Sequence, residues 1–149
     1  MNREEMKSQV RRYYNIWREM LVSYEEWAKE YGISYNCLLV LYSLWEDREN
    51  CTQKEICRQW VLPKQTVNTI LKDLQKKGMI DFKVMEKDHR NKSIHLTKEG
   101  EGLTEEIIPA LQELEASVME KLGEARSSSL IENTALFAEY FRKGKEKRK

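Results

Sequence analysis

Apolar residues recur every three or four positions through Met6, Val10, Tyr13, Trp17, Met20, Tyr24, Trp27 and Tyr31. That spacing predicts one long amphipathic helix with Gly32 as its C-terminal stop. Ser34 is placed to cap a second helix, in which Leu38, Leu39, Leu41, Tyr42, Leu44 and Trp45 leave almost no polar face, the mark of a central buried element. Thr52-Gln53-Lys54-Glu55 has the capping-box pattern and opens a short helix carrying Ile56, Cys57 and Trp60. After a Val61-Leu62 turn, Pro63 starts the next helix, where its missing N–H would have had no partner in any case.

In that helix Val67, Ile70, Leu71 and Leu74 form one apolar stripe, and Gln65, Asn68, Thr69, Lys72, Gln75 and Lys76 occupy the opposite face. Gly78 ends it, with Lys76 and Lys77 near its negative pole. Helix, short turn and helix with a polar outer face is a helix-turn-helix. Ile80, Phe82 and Val84 then alternate with Asp81 and Lys83 as in a strand; Glu86 to Lys92 reads as a charged turn and Ser93 to Leu96 as the return strand. Thr97 is placed to cap a long helix through Leu103, Ile107, Leu111, Leu114, Val118 and Leu122, with a kink or break expected near Ile108 because Pro109 follows. Gly123 closes it, and Leu130, Thr134, Phe137, Tyr140 and Phe141 mark a last helix. The expected fold is mainly α with a small β-hairpin wing: a winged helix-turn-helix lobe over residues 34–97, flanked by helical dimerisation regions over 1–33 and 98–149, within a single domain.

Charge sharpens this picture. The net charge of +1 over 149 residues hides an uneven distribution. Residues 63–97 hold eight Lys/Arg against four Asp/Glu, a balance of +4, whereas residues 98–139 hold three against ten, a balance of −7. A basic segment with groove-sized elements beside an acidic helical scaffold suits duplex DNA. The apolar runs are only a few residues long and no basic-then-apolar leader precedes them, so a cytoplasmic protein without a membrane partner is expected. An enzyme is disfavoured: the chain lacks a Gly-rich phosphate loop, a nucleophile elbow and ligand-spaced metal pairs, and neither cofactor nor metal is expected.

Three stretches together resemble the MarR family of bacterial winged-helix regulators. The first runs from Leu62 to Ile80, the second is Asp88-x-Arg90 followed after five residues by Leu96-Thr97, and the third is Lys98-Glu99-Gly100. The resemblance spans essentially the whole chain and implies a homodimer whose first and last helices interlock. Its two winged helices would bind a pseudo-palindromic operator in double-stranded DNA, most simply as a repressor. It implies that Gln65, Thr66, Asn68 and Thr69 face the major groove, that Lys64, Lys72 and Lys92 meet DNA, and that Arg90 enters the minor groove held by Asp88. Pro63 departs from the family, which usually has a capping polar residue there.

The resemblance also implies a small aromatic or lipophilic effector near Tyr13, Trp17, Tyr24 and Tyr42, although aromatics at helical spacing equally make core or dimer interface. Two alternatives stand beside this reading. One is thiol-based redox sensing, for which Cys51, beside the Thr52 cap, is the cysteine expected to be most exposed, with Cys37 expected in the core. The other is a winged helix used only for protein–protein assembly, which would need neither Arg90 nor an Asn/Gln/Thr face. His89 and His95 read as wing-surface residues.

Overall fold

The structure, a computed structural model, describes residues 1–87 and 90–148. Among the described residues, six helices and one hairpin follow in the order α1 (Arg3–Glu30), α2 (Tyr35–Glu46), α3 (Gln53–Trp60), α4 (Lys64–Lys76), β1 (Ile80–Val84), β2 (Lys92–Leu96), α5 (Lys98–Leu122) and α6 (Glu124–Glu146). The chain divides into two compact units, Met1–Ile108 and Pro109–Lys149. Among the described residues no helix is long and apolar enough to cross a membrane.

Local chemistry explains most boundaries. The Ser34 hydroxyl accepts the Cys37 N–H at 3.0 Å and starts α2. Gly32 (φ +75°) follows the end of α1, and Gly78 (φ +73°) takes the left-handed conformation just after α4, at little steric cost for glycine. The Thr52 capping box forms only by half: its hydroxyl accepts the Glu55 N–H at 3.2 Å, while the Glu55 carboxylate pairs with Arg58 one turn on. A full capping box forms instead at Asn2 and Glu5, opening α1. Nor does Pro109 break its helix, since α5 runs from Lys98 to Leu122 with Pro109 inside it. The division between the two compact units falls at that residue.

The core of the first unit gathers Val40, Leu41 and Leu44 of α2, Ile56 of α3, Val67, Leu71 and Leu74 of α4, and Ile80 and Ile94 of the hairpin. The strands pair antiparallel with Ile80 opposite Leu96 and Phe82 opposite Ile94, which points Ile80 and Ile94 into that core. Cys51 is part of the core and only 1% exposed, against the expectation of an open thiol. The reason is non-local: the Ile94 N–H donates to the Cys51 carbonyl at 2.7 Å, pinning the loop before α3 to the hairpin. Cys37, expected in the core, is half-buried at its margin.

Candidate nucleic-acid interface

The second helix of the helix-turn-helix is α4. Its Val67, Leu71 and Leu74 are buried and Ile70 half-buried, so the stripe read from the sequence is the seam that holds it in place. With that seam fixed, Lys64, Gln65, Thr69 and Lys72 are exposed and Thr66 and Asn68 are half-buried at the margin. The Thr69 hydroxyl donates back to the Gln65 carbonyl at 2.9 Å. Pro63 caps α4 without a side-chain hydrogen bond. The first-turn amides are thus left without a side-chain cap from position 63, where a groove-bound phosphate could be accepted.

One hydrogen bond and one left-handed turn residue set the entry of α4 against α3. The Gln53 side chain donates to the Lys64 carbonyl at 3.2 Å. At the turn itself Val61 adopts φ 52° and ψ 47°, the left-handed region that a β-branched side chain strongly disfavours, and its side chain is 88% exposed. Behind the turn, the Trp60 indole N–H donates to the Ser43 hydroxyl at 2.6 Å, and Ser43 donates in turn to Gln59 at 2.8 Å. Tyr42 meets Trp60 edge-on, with ring centroids 5.7 Å apart. Tyr42 thus serves the helix-turn-helix.

On the wing, Arg90 and Lys92 are exposed, at the turn and at the start of β2. The expected partnership of Asp88 with Arg90 falls outside the described residues, as does His89. His95 lies within 2.7 Å of the Ser93 hydroxyl on β2. Near the end of α4, Asp73 holds Lys77 at 2.9 Å, and that bond and charge raise the ammonium pKa above its ordinary value. Lys77 thus pairs within its own helix, and Lys64 and Lys72 are exposed.

Of the four aromatics expected at an effector site, Trp17 and Tyr24 line one open cleft of about 730 Å³. Its other walls are Tyr14, Arg18, Met20 and Leu21 of α1 and Tyr35 at the start of α2. Tyr13 is displaced from the lining and packs on Trp17, with ring centroids 5.8 Å apart. Periodicity alone misses Tyr14, Arg18 and Tyr35, because the cleft is made where α1 and α2 meet and not along one stripe.

Two of the thiols, Cys37 and Cys51, are held in their protonated form. Burial is the main cause that pushes Cys37 up to about 11, with Lys77 lowering and Asp73 raising it more weakly. Burial, with Asp47 and Glu55 adding to it, pushes Cys51 up to about 12. Among the described residues no three His, Cys, Asp or Glu side chains are grouped so as to hold a metal.

Comparison with known proteins agrees with this architecture. A MarR family model matches residues 31–91, the segment from the end of α1 to the wing. The HTH-type transcriptional regulator SarZ of Staphylococcus epidermidis is 29% identical over 127 residues, covering 84% of this chain and 82% of that protein. The structure of NMB1585, a MarR family regulator from Neisseria meningitidis, is 27% identical with a TM-score of 0.73 over the whole of both chains. That of overoxidized AbfR bound to DNA is 26% identical with a TM-score of 0.66, covering 95% of this chain and 99% of that one.

Proposed function

We propose that this chain, whose residues 31–91 match a MarR family model and which is similar to MarR-family regulators over most of its length, is a cytoplasmic, homodimeric, ligand-responsive repressor that binds a pseudo-palindromic operator. In each subunit α4 enters the major groove. Gln65, Thr66, Asn68 and Thr69 meet base edges, and Lys64 and Lys72 meet phosphates. The wing follows the backbone through Lys92 and inserts Arg90 into the minor groove.

The observation that carries this reading is the division of α4 itself: its apolar stripe is spent on the core, its exposed or half-buried remainder is amides, hydroxyls and lysines with the one carboxylate, Asp73, paired to Lys77, and the hairpin after it carries an exposed arginine. The homodimer is supported by Leu130, Ile131, Leu136, Phe137, Tyr140 and Phe141 of α6, which are 43–66% exposed in the single chain. Effector control is supported by the aromatic cleft of α1 and α2, in which Arg18 is the charged lining residue. Thiol sensing is disfavoured at Cys37 and Cys51, since a buried thiol with a raised pKa holds almost no reactive thiolate near neutral pH.

Fluorescence anisotropy on DNA from upstream of its own gene tests the assignment. Arg90→Ala is expected to weaken binding about tenfold or more across sequences, and Asn68→Ala to flatten preference at one base pair per half-site, worth about 1–3 kcal/mol. Unchanged affinity in both variants removes α4 and the wing from the DNA contact and leaves an assembly module.

A further inference from the structure

The Thr97 hydroxyl serves two helix ends at once. Its oxygen accepts the Gly100 N–H at 3.2 Å, capping the first turn of α5, and it donates to the Gly78 carbonyl at 2.6 Å, just beyond the end of α4. The Thr97 N–H adds a bond of 3.0 Å to the neighbouring Met79 carbonyl. Two consecutive carbonyls at the exit of the recognition helix are therefore gripped by one residue at the entry of α5.

Gly100 makes that approach possible. It is buried inside a helix, where glycine weakens helix formation. A Cβ there would collide with the Met79 carbonyl oxygen and lie 3.2 Å from Leu96 Cδ2. The glycine is needed for room and not for an unusual backbone angle.

The core fixes α4 within its own lobe through Val67, Leu71 and Leu74. Its register against α5 is a separate matter. Farther along α5, Leu103 packs on the core, Thr104, Ile107 and Ile108 are fully buried, and an exposed Arg48–Glu105 ion pair is a class of contact that contributes little; Thr97 and Gly100 are where α5 meets the exit of α4 itself. We infer that Thr97 and Gly100 are positioning residues for operator recognition, which lock the recognition helix to the start of α5 and thereby set the half-site spacing the protein accepts. This rests on the dimeric, operator-binding reading above. Each base pair added between half-sites moves the second site by about 3.4 Å along and about 35° around the duplex. A rigid junction rejects that displacement and a loosened one follows it.

The experiment uses the full-length protein and a duplex enriched by it from random DNA, together with versions carrying one or two base pairs inserted or removed between the half-sites. The native protein is expected to bind the altered duplexes about tenfold or more weakly. Thr97→Val, which keeps the shape but loses the hydroxyl, is expected to bring all spacings within about threefold of one another, and Thr97→Ser to restore the discrimination. A lower folded fraction scales every duplex alike, so the ratio between spacings isolates positioning from stability. Equal loss on all duplexes, or unchanged ratios, overturns the inference. Should Thr97→Val fail to fold, Gly100→Ala is read in the same way; if both are unfolded, the contact belongs to folding and the positioning role is overturned. A native protein that enriches no duplex refutes the DNA reading itself, and one that enriches a lone half-site refutes the dimer, so each failure has its own signature.

Discussion

The two compact units solve the problem of apolar surface in opposite ways. In Met1–Ile108, α2, α3, α4 and the hairpin turn their stripes toward one another, and Leu41, Ile56 and Val67 reach zero exposure. In Pro109–Lys149, α6 has no buried residue, and Phe137 and Phe141 stand 45% and 66% exposed. A 23-residue helix of this kind gains little from propensity alone in water. The lobe carries its own core, whereas α6 of the C-terminal unit leaves its apolar side chains exposed in the single chain. On the proposed function, reading and assembly would be divided between a closed surface and an open one.

The largest expected effect strikes the closed side. Leu41→Ala should cost about 2–5 kcal/mol in urea unfolding, because its site is enclosed by rigid neighbours that close poorly on a cavity; a loss under about 1 kcal/mol would mean that the core is far looser than its burial implies. Next, Phe137→Glu should raise the dimer dissociation constant at least about tenfold by sedimentation velocity while sparing the lobe. A dimer as tight as before would locate assembly elsewhere.

The third effect is a pH dependence confined to the lobe. Cys37 and Cys51 have folded pKa values raised to about 11 and about 12 from an ordinary 9.0. Their contribution to stability is complete below pH 9.0 and is lost as pH rises through the folded values, because the unfolded chain releases these protons first. Unfolding free energy should fall by up to about 1.4 kcal/mol per pH unit per thiol in that window, and Cys51→Ala should make the fall shallower than in the native protein. Parallel curves would show that Cys51 is not the group titrating. The smallest effect belongs to the strained turn. Val61→Gly should raise stability by about 0.5 kcal/mol, relief of left-handed strain outweighing glycine's extra unfolded-state freedom; a lower melting temperature would show that the turn is not strained.

What could be read from the sequence was local. Gly32, Ser34 and Gly78, and Thr97 in its capping of α5, act on backbone groups within a few residues of themselves, so those roles at helix ends are written in their immediate neighbours, whereas the bond from Thr97 to the Gly78 carbonyl is not. The stripe of α4 is equally local, and with it the list of side chains left outward. What required the fold was non-local. Cys51 is buried because β2 returns to bond with its carbonyl, and Tyr42 turns to Trp60 because α3 packs beside α2. The half-formed box at Thr52 shows competition even at short range, since Arg58 takes the carboxylate that the pattern assigns to the cap. Arg18 enters the cleft only when α1 meets α2, which no single-helix periodicity foretells.

The tryptophans divide along similar lines, with an optical consequence. Trp60 is hydrogen-bonded to Ser43 behind the helix-turn-helix, whereas Trp17, 57% exposed, lines the open cleft of α1. The protein therefore carries an intrinsic fluorophore at its reading head and another at its cleft. With Trp27 and Trp45 replaced by phenylalanine, an unlabelled sample should report duplex engagement and cleft occupancy as separate changes in emission.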